Sequence, residues 1–322
     1  KTKDEFLDLQ NEIATKLASE LKGGLDAAEA QQLAQKATDN ADALAEYEAG
    51  RREWNRRNKE GFDNAIKHFE KAIELDPDYA EPYVGLADTY GLLPIYNFAE
   101  PSEAMPKAKS YAQKAIERNP NLAIAYTSIA MVNYIYDYNW AEAEANHRKA
   151  LQLNPNYATG QQWFGEYLYQ TGNTELGFEH MSKAAELDPG SKIIKCQLAL
   201  CAYLLKKNDL AGQAIDEALA IDPMFHFALE IKYVWLEQGD TADAITLIEQ
   251  AREKYPDQPD YLLLLFDLHW MKGNRERALR YFVELLDKHH DSIQSQVIAQ
   301  LYAIMGEPMD VYRWLQKSID KR

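Results

Sequence analysis

The chain has 322 residues and a formal net charge of −16, with 51 acidic against 35 basic side chains. This acidic balance disfavours direct contact with nucleic acid or with an anionic membrane surface, since both need basic protein surface. No apolar run approaches the ~18 residues that a membrane-spanning helix requires. The chain has no signal peptide and no initiator Met, so we expect Lys1 to mark a boundary within a longer protein.

Two helices are predicted ahead of the rest of the chain. The first covers residues 4–21, where apolar side chains recur at three- and four-residue steps, and Gly23 ends it. Asp26 and Glu29 then resemble a capping box at the start of a second helix. We assign residues 1–42 to an N-terminal helical extension or cap. We expect its first helix to pack on the first of the helix pairs that follow, and the alternative is that it lies in the groove formed by their array. The apolar positions of that helix are Phe6, Leu9, Ile13, Leu17 and Leu21.

One helical step recurs along the remaining chain. Each copy ends in Ala, three variable residues, Asp or Asn, and Pro, and the clearest copy is Asn64–Pro77. Proline cannot continue a helix and biases the preceding residue out of the α region, so each copy marks a helix end. The successive intervals are 43, 35, 34, 34 and 33 residues. The copies close at Pro77, Pro120, Pro155, Pro189, Pro223 and, with Tyr255 before the proline, Pro256.

Within each copy, two small residues flank a mostly larger one on a single helix face, as Ala65, Phe69 and Ala72 do. A second helix is predicted before each copy, and Ala158–Gly172 is the best example. A pair of helices repeating every 34 residues resembles the tetratricopeptide repeat. The resemblance implies an all-α, right-handed superhelical solenoid of about eight helix-turn-helix units over residues 43–322. We expect the last helix to become more polar over Gln316–Arg322, as the cap of a solenoid does.

The second unit is longer than the others by about nine residues. The extra residues lie in Gly91–Pro106, which contains three prolines. We expect an ordered loop on one edge of the array, with Tyr96 and Phe98 exposed.

The N-terminal region carries a further resemblance. The segment FLDLQNEIA, Phe6–Ala14, is similar to a Phe-x-Leu-Gln-Asp-Glu-Ile-Ala segment of bacterial multidomain regulators. In those proteins the segment follows a TolB-like domain and leads into tetratricopeptide repeats. The resemblance implies a sensory or scaffolding region of a larger regulator with a nucleotide-cyclase, kinase or winged-helix domain. The matching continues at Thr38, Asn40, Ala43, Tyr47, Gly50 and Arg51.

The first helix of each unit is expected to line the concave side of such a solenoid. Its projected inner face is rich in aromatic, Met and Leu side chains and has almost no Lys or Arg. An apolar groove of this kind suits an amphipathic helix or an extended peptide, with the aromatic residues as anchors. The alternative is that many of these residues are core contacts between adjacent units. The candidate groove residues are Met131, Tyr134, Tyr169, Leu200, Tyr203, Tyr233, Trp270 and Met271.

The sequence gives no indication of catalytic chemistry. It contains no HExxH, CxxC, Walker, GxGxxG or GxSxG motif. Cys196 and Cys201 are five residues apart and are expected on different helix faces, so we predict no disulfide between them. We name no catalytic residue, cofactor or metal ligand, and we attribute His289-His290-Asp291 to a loop between units.

The sequence therefore favours a scaffold for a protein or peptide with an apolar or amphipathic segment, belonging to a larger bacterial signalling or transcription-regulating protein. One alternative is a stand-alone adaptor or assembly factor. Another is a small-ligand sensor with a pocket lined by Tyr134, Tyr169 and Tyr203. An enzyme is the least supported class. Homo-oligomerisation and a cytoplasmic or periplasmic location stay open.

Overall fold

A computed structural model describes residues 37–236, 242–289 and 293–320, and these residues form α-helices with no β-strand. The helices pair into eight units, each with a first and a second helix, which confirms the predicted repeat and its number. The first helices are α1 Ala41–Trp54, α3 Ala80–Ile95, α5 Ala123–Ile135, α7 Ala158–Gln170, α9 Lys192–Leu204, α11 His226–Glu230, α13 Asp260–Met271 and α15 Ser295–Met305. The second helices are α2 Lys59–Leu75, α4 Pro101–Arg118, α6 Trp140–Leu153, α8 Thr174–Leu187, α10 Asn208–Ile221, α12 Ala242–Lys254, α14 Arg275–His289 and α16 Pro308–Asp320.

One predicted helix differs from the structure, and two others cannot be compared with it. The helix α11 continues as a π-helical segment, Ile231–Leu236, where one regular helix was expected. The two helices predicted before residue 37 lie outside the described residues.

Before four of the prolines, an Asp or Asn side chain forms a defined hydrogen bond at the end of the second helix. The Asp76 side chain accepts from the backbone N–H of Asp78 at 3.1 Å, and the Asn154 side chain accepts from Asn156 at 3.0 Å. Asn119 and Asp222 form the same contact. A short polar side chain that bonds the N–H two residues on makes an Asx turn, which reverses the chain into the next first helix.

The turn between the two helices of a unit requires one residue with a positive φ, and no constant residue type marks this position in the sequence. Gly172, Gly273 and Gly306 occupy it with φ of 92°, 74° and 82°. Four other units place a non-glycine residue there at positive φ, namely Arg57, Asn97, Tyr138 and Lys206. Glycine adopts this conformation without steric cost, whereas the other residues are held in it by the packing around them. The turn is therefore conserved in geometry between units without a constant residue to reveal it.

The small-large-small pattern of the second helices forms the core of each unit. Ala65, Phe69 and Ala72 are all fully buried, and the Phe69 ring lies between Gly50 of α1 and Gly85 of α3. A Cβ atom at Gly50 would lie 2.5 Å from that ring, and one at Gly85 would lie 2.6 Å from it. The two glycines thus let both first helices approach the same aromatic side chain.

His147 occupies the large position in the third unit and is buried without a polar partner. It is 1% exposed and its ring stacks on Phe164, with centroids 5.3 Å apart. Neither ring nitrogen has a hydrogen-bond partner among the residues that the structure describes. Burial, with a smaller contribution from His180, lowers the pKa of His147 to about 3. The imidazole therefore stays neutral in the folded protein at ordinary pH.

We expect His147→Met to raise the free energy of unfolding by about 1–2 kcal/mol at pH 7, because an unpartnered buried polar group is costly. Met181 occupies the equivalent position of the fourth unit. The gain should grow as pH falls below about 6.5, since the unfolded histidine then binds a proton that the folded one refuses. Urea unfolding at pH 7 and pH 5 measures both effects. His68→Met is the control, because His68 is half-exposed and bonded to Glu46 at 2.6 Å. An equal gain in that control would contradict the explanation.

The extra residues of the second unit lengthen its helices instead of forming a long loop. The helix α3 extends to Ile95 and α4 begins at Pro101, so only residues 96–100 form the turn. The expectation that Tyr96 and Phe98 are exposed was wrong for Tyr96, which is 6% exposed, and Phe98 is half-buried beside it. Tyr96 and Phe98 both pack edge-on against Phe62.

The superhelix closes on itself through the turns of the first two units. Tyr96 contacts His226 of α11 edge-on, with ring centroids 5.6 Å apart. The side chain of Gln294, just before α15, donates a hydrogen bond to the Pro94 carbonyl oxygen, and its backbone N–H donates to the Asn97 side chain at 3.5 Å. These contacts join residues 130 to 200 apart in sequence and narrow the concave side. The sequence suggested an open groove along the inner face. In the structure only part of that face is open.

The last unit exposes apolar side chains ahead of the segment predicted to be polar. Trp314 packs toward α15, but four large apolar side chains of α16 face outward, at Met309, Tyr312, Leu315 and Ile319. The predicted polar character of Gln316–Arg322 does not extend over this helix.

Candidate interaction surface on the inner face

Four aromatic residues form a regular series at the carboxyl ends of first helices. Tyr134, Tyr169 and Tyr203 end α5, α7 and α9 at intervals of 35 and 34 residues. Trp270 ends α13, two repeats beyond Tyr203. We call these four residues the aromatic row. Each is half-buried, so one part of each ring is anchored and the remainder is accessible.

A polar network holds the two upstream tyrosines of the row. The Tyr169 hydroxyl donates to Gln197 Oε1 at 3.0 Å, and Gln197 Nε2 lies 3.5 Å from a Glu166 oxygen. Tyr134 hydrogen-bonds to Glu166, and its ring meets Tyr167 edge-on at 5.7 Å. Burial raises the pKa of Glu166 to about 7 against the opposing effect of its hydrogen bonds with Tyr134 and Gln170. The network joins three successive units through groups that are not part of the helix core.

The downstream end of the row has a cationic partner. The Trp270 ring stacks on Phe266 with centroids 5.4 Å apart, and the Arg275 guanidinium carbon lies 3.7 Å from its centroid. Met271, beside it, is 45% exposed. Asp267 is one helical turn before Met271, and burial raises its pKa to about 6. This end therefore presents an aromatic face, a thioether and a carboxyl group.

The remaining candidate residues pack against buried clusters or lie within one. Leu200 packs with Tyr203 against the buried cluster that contains Cys196, and Tyr233 packs against the cluster around Leu229. Met131 is 2% exposed, and a Cβ atom at Gly91 would lie 2.0 Å from its terminal methyl carbon. Met131 is thus a core residue, in agreement with the alternative interpretation of inter-unit packing.

The first unit contributes two inward arginines that the projection from sequence missed. The Arg51 guanidinium lies 3.2 Å from Asp88 of α3, and Ser128 of α5 donates to the same carboxylate at 2.5 Å. Arg57 is 5% exposed and stacks 3.5 Å from the Trp54 ring, and burial lowers its pKa to about 10. Arg51 lies in the last turn of α1, and Arg57 lies in the turn that follows it. The first unit is stretched between its two helices, so the regular repeat spacing does not predict which of its residues face inward.

Small cavities mark the closing contacts. One of about 100 Å³ lies where Pro94 and Ile95 meet Gln294 and Ser318. Another of about 20 Å³ lies where Arg57 approaches His226. These volumes are well below the ~300 Å³ at which small-molecule sites begin. Neither is lined by the aromatic row.

The described residues contain no group of three or more His, Cys, Asp and Glu side chains that could hold a metal ion. Cys196 and Cys201 are both buried as free thiols, and burial raises the pKa of Cys201 to about 12. No helix in this part of the chain is both long and apolar enough to cross a membrane.

Comparison with known proteins gives the same architecture. A family model described as "Tetratricopeptide repeat" matches residues 236–301, and one described as "TPR repeat" matches residues 57–93. The human IFIT1 dimer structure superposes with a TM-score of 0.61 at 16% identity, covering 91% of this chain and 78% of that chain. Yeast Tom70 superposes with a TM-score of 0.53 at 20% identity, covering 87% of this chain and 61% of that chain.

Among curated proteins, the transcriptional regulator HilA of Salmonella typhimurium is 25% identical over 148 residues. The alignment covers 46% of this chain and 27% of HilA, so the matched part is about a quarter of that relative's length. The helix pairs, their spacing and both family models agree: the chain is a tetratricopeptide-repeat protein.

Proposed function

We propose that this protein is an interaction scaffold that binds an apolar or amphipathic peptide segment of another protein along the aromatic row. The observation that carries the proposal is the register of Tyr134, Tyr169, Tyr203 and Trp270, one per first helix in four units. Partly exposed aromatic side chains on a rigid support are the usual anchors of peptide recognition, because they bury much area and lose little entropy.

Two carboxyl groups beside the aromatic row indicate which charge the partner should carry. Glu166 lies between Tyr134 and Tyr169, and Asp267 lies one turn before Met271. A peptide that places lysine or arginine residues between its apolar anchors can pair one of them with each carboxyl group on binding. An acidic peptide would meet them with like charge. The proposed partner is therefore an apolar segment with basic residues.

The double variant Tyr203→Ala with Trp270→Ala should weaken binding of such a peptide by roughly 30-fold or more, since the loss of even one aromatic anchor costs about 2 kcal/mol. Ligands can be selected from a displayed peptide library on the native protein and then titrated by calorimetry. Trp140→Ala is the matched control, because Trp140 is 50% exposed at the start of α6 and outside the row. Unchanged affinity in the double variant, with its circular dichroism and melting intact, would refute the proposed site.

We further propose that the chain is the sensory or regulatory region of a larger bacterial signalling or transcription-regulating protein. Two features support it: the short segments from Phe6 to Arg51 that resemble bacterial regulators, and the partial similarity to the regulator HilA. Determining the gene sequence upstream of Lys1 tests it. An upstream α/β domain and an effector domain are expected, and a start codon immediately before Lys1 would contradict the assignment.

A further inference from the structure

The outward side of α16 is apolar. Met309, Tyr312, Leu315 and Ile319 are 74%, 67%, 45% and 64% exposed. At 100° per residue these positions fall within a stripe about 120° wide. The opposite side of the helix packs Trp314 against the last core cluster. A helix that is apolar on both sides is normally covered on both sides. We call the four outward residues the α16 stripe.

Two residues of the α16 stripe differ in exposure or in residue type from the residues at the same positions of other units. Gly273 and Gly306 align the last two units, so Leu315 corresponds to Phe282, which is 6% exposed. The same position is therefore buried at Phe282 and exposed at Leu315. Met309 corresponds to Glu276, an exposed charged residue, and the fourth and fifth units have Glu175 and Asp209 there. The place of α16 at the end of the described array explains the first difference and not the second, because Met309 stands where each of those units has a charged residue that faces solvent.

The charge of this end also differs from that of the whole protein. Residues 295–320 carry two basic and three acidic side chains, whereas the whole chain has a net charge of −16. The acid Asp310 is paired with Arg313 at 2.7 Å. Two copies of the protein repel each other over most of their surface, and this nearly neutral end is a region where they can approach without that cost.

The exposed area is sufficient for a specific contact. The four stripe residues and Ile304 of α15, which is 45% exposed, offer roughly 100 Å² each, by comparison with the 150–250 Å² that an aromatic side chain buries in full. The sum of about 500 Å² is a large part of the ~800 Å² that each partner contributes to an interface of standard size. Flanking polar residues would supply the remainder as a rim.

We propose that the α16 stripe is the interface of a homodimer in which the α16 helices of two copies pack antiparallel. A twofold axis near Trp314 places Met309 of one copy against Ile319 of the other, and Tyr312 against Leu315. The stripe is therefore complementary to itself, as a twofold interface requires. The contact leaves the aromatic row of each copy unaffected, so the dimer would present two peptide-binding surfaces. The inference is independent of what the aromatic row binds.

Sedimentation equilibrium of the 322-residue chain tests this interface. We expect twice the mass of 36.9 kDa at micromolar concentration. Tyr312→Glu combined with Ile319→Glu should raise the dissociation constant at least 100-fold, because both side chains are exposed in the single copy and each carboxylate would be buried against an apolar side chain in the dimer. Val283→Glu is the control, since Val283 is 55% exposed on α14 outside the stripe. A monomeric native chain, or a dimer that persists in the stripe variant, would overturn the proposal.

A cross-linking variant gives an independent test. Both native cysteines are buried, so a single exposed thiol reports on its own surroundings. Leu315→Cys should form an intermolecular disulfide under mild oxidation, and Val283→Cys should not. If Leu315→Cys stays monomeric and a bifunctional reagent instead joins α16 to residues 1–36 of the same chain, the N-terminal segment covers the stripe and the dimer is wrong.

Discussion

Replacing Arg51 with methionine is expected to lower the free energy of unfolding by about 3–5 kcal/mol, because it leaves a buried carboxylate without its cation. The Asp88 side chain is 2% exposed, and Arg51 Nη1 lies 3.2 Å from it. Ser128 holds the other carboxylate oxygen, so the three residues join α1, α3 and α5 of successive units. The same residue pair therefore stabilises both the inner face and the contact between units. Chemical denaturation of the variant and the native protein measures the loss.

The pH dependence identifies the cause of that loss. Burial raises the pKa of Asp88 in the native protein against the opposing effect of Arg51, so removing Arg51 raises this pKa further. A carboxyl group with a raised folded-state pKa destabilises the fold as pH rises through that value. The deficit of Arg51→Met should therefore be larger at pH 8 than at pH 5.

Two further variants complete this test. Arg51→Met with Asp88→Leu should recover most of the stability, because Ser128 keeps its hydrogen bond to the Ile124 carbonyl oxygen at 3.1 Å. Lys59→Met, which breaks an exposed pair with Asp63, should change the unfolding free energy by less than about 0.5 kcal/mol. A single variant as stable as the native protein at pH 8 would show that the buried pair contributes nothing.

Gly177→Ala is expected to destabilise the fold by about 1–3 kcal/mol, through overpacking at the closest approach of α7 and α8. A Cβ atom at Gly177 would lie 2.8 Å from the Gly165 carbonyl oxygen, and a Cβ atom at Gly165 would lie 2.8 Å from the Gly177 carbonyl oxygen. Both obstacles are backbone atoms, so no side-chain rotation relieves them. Other units have alanine at the position of Gly177, which makes the fourth unit more closely packed than a consensus repeat.

Gly212→Ala provides the matched control for this prediction. A Cβ atom at Gly212 of α10 meets no atom within 4 Å. The same substitution there should stabilise the protein by about 0.5–1 kcal/mol, because alanine favours the helix. Thermal unfolding of the two variants should therefore shift in opposite directions. A stabilised Gly177→Ala would contradict the close helix approach.

The repeat made most of the fold predictable. Proline and the preceding Asp or Asn mark the helix ends, and alternating small and large residues such as Ala65 and Phe69 mark the buried face. Both signals act over a few residues, so sequence alone reveals them. The number of units and the bounds of the first helices follow from the same spacing.

The closure of the superhelix was not predictable from these local signals. It depends on the small rotation between adjacent units, which accumulates over four units before Tyr96 meets His226 and over six before Pro94 meets Gln294. No sequence pattern within one 34-residue repeat encodes that accumulated rotation. The prolines that suggested a loop at Gly91–Pro106 are accommodated in helices: Pro94 near the end of α3, and Pro101 and Pro106 near the start of α4.

The inner face was predicted in part. The aromatic row was among the projected residues because it repeats with the period of the array, whereas Met131 has the same period and lies in the core. The difference depends on Gly91, whose missing side chain gives Met131 room to fold inward. Arg51 and Arg57 were missed because the first unit is stretched and has no regular register.

The most direct test of the interaction scaffold is a structure of the protein with a selected peptide, supported by calorimetric titration. We predict that the peptide lies along Tyr169, Tyr203 and Trp270 with apolar side chains on the rings and a basic side chain near Glu166 or Asp267. We also predict that the Tyr203→Ala, Trp270→Ala variant loses roughly 30-fold or more in affinity. A peptide bound on the convex side, with equal affinity for the variant and the native protein, would contradict the account.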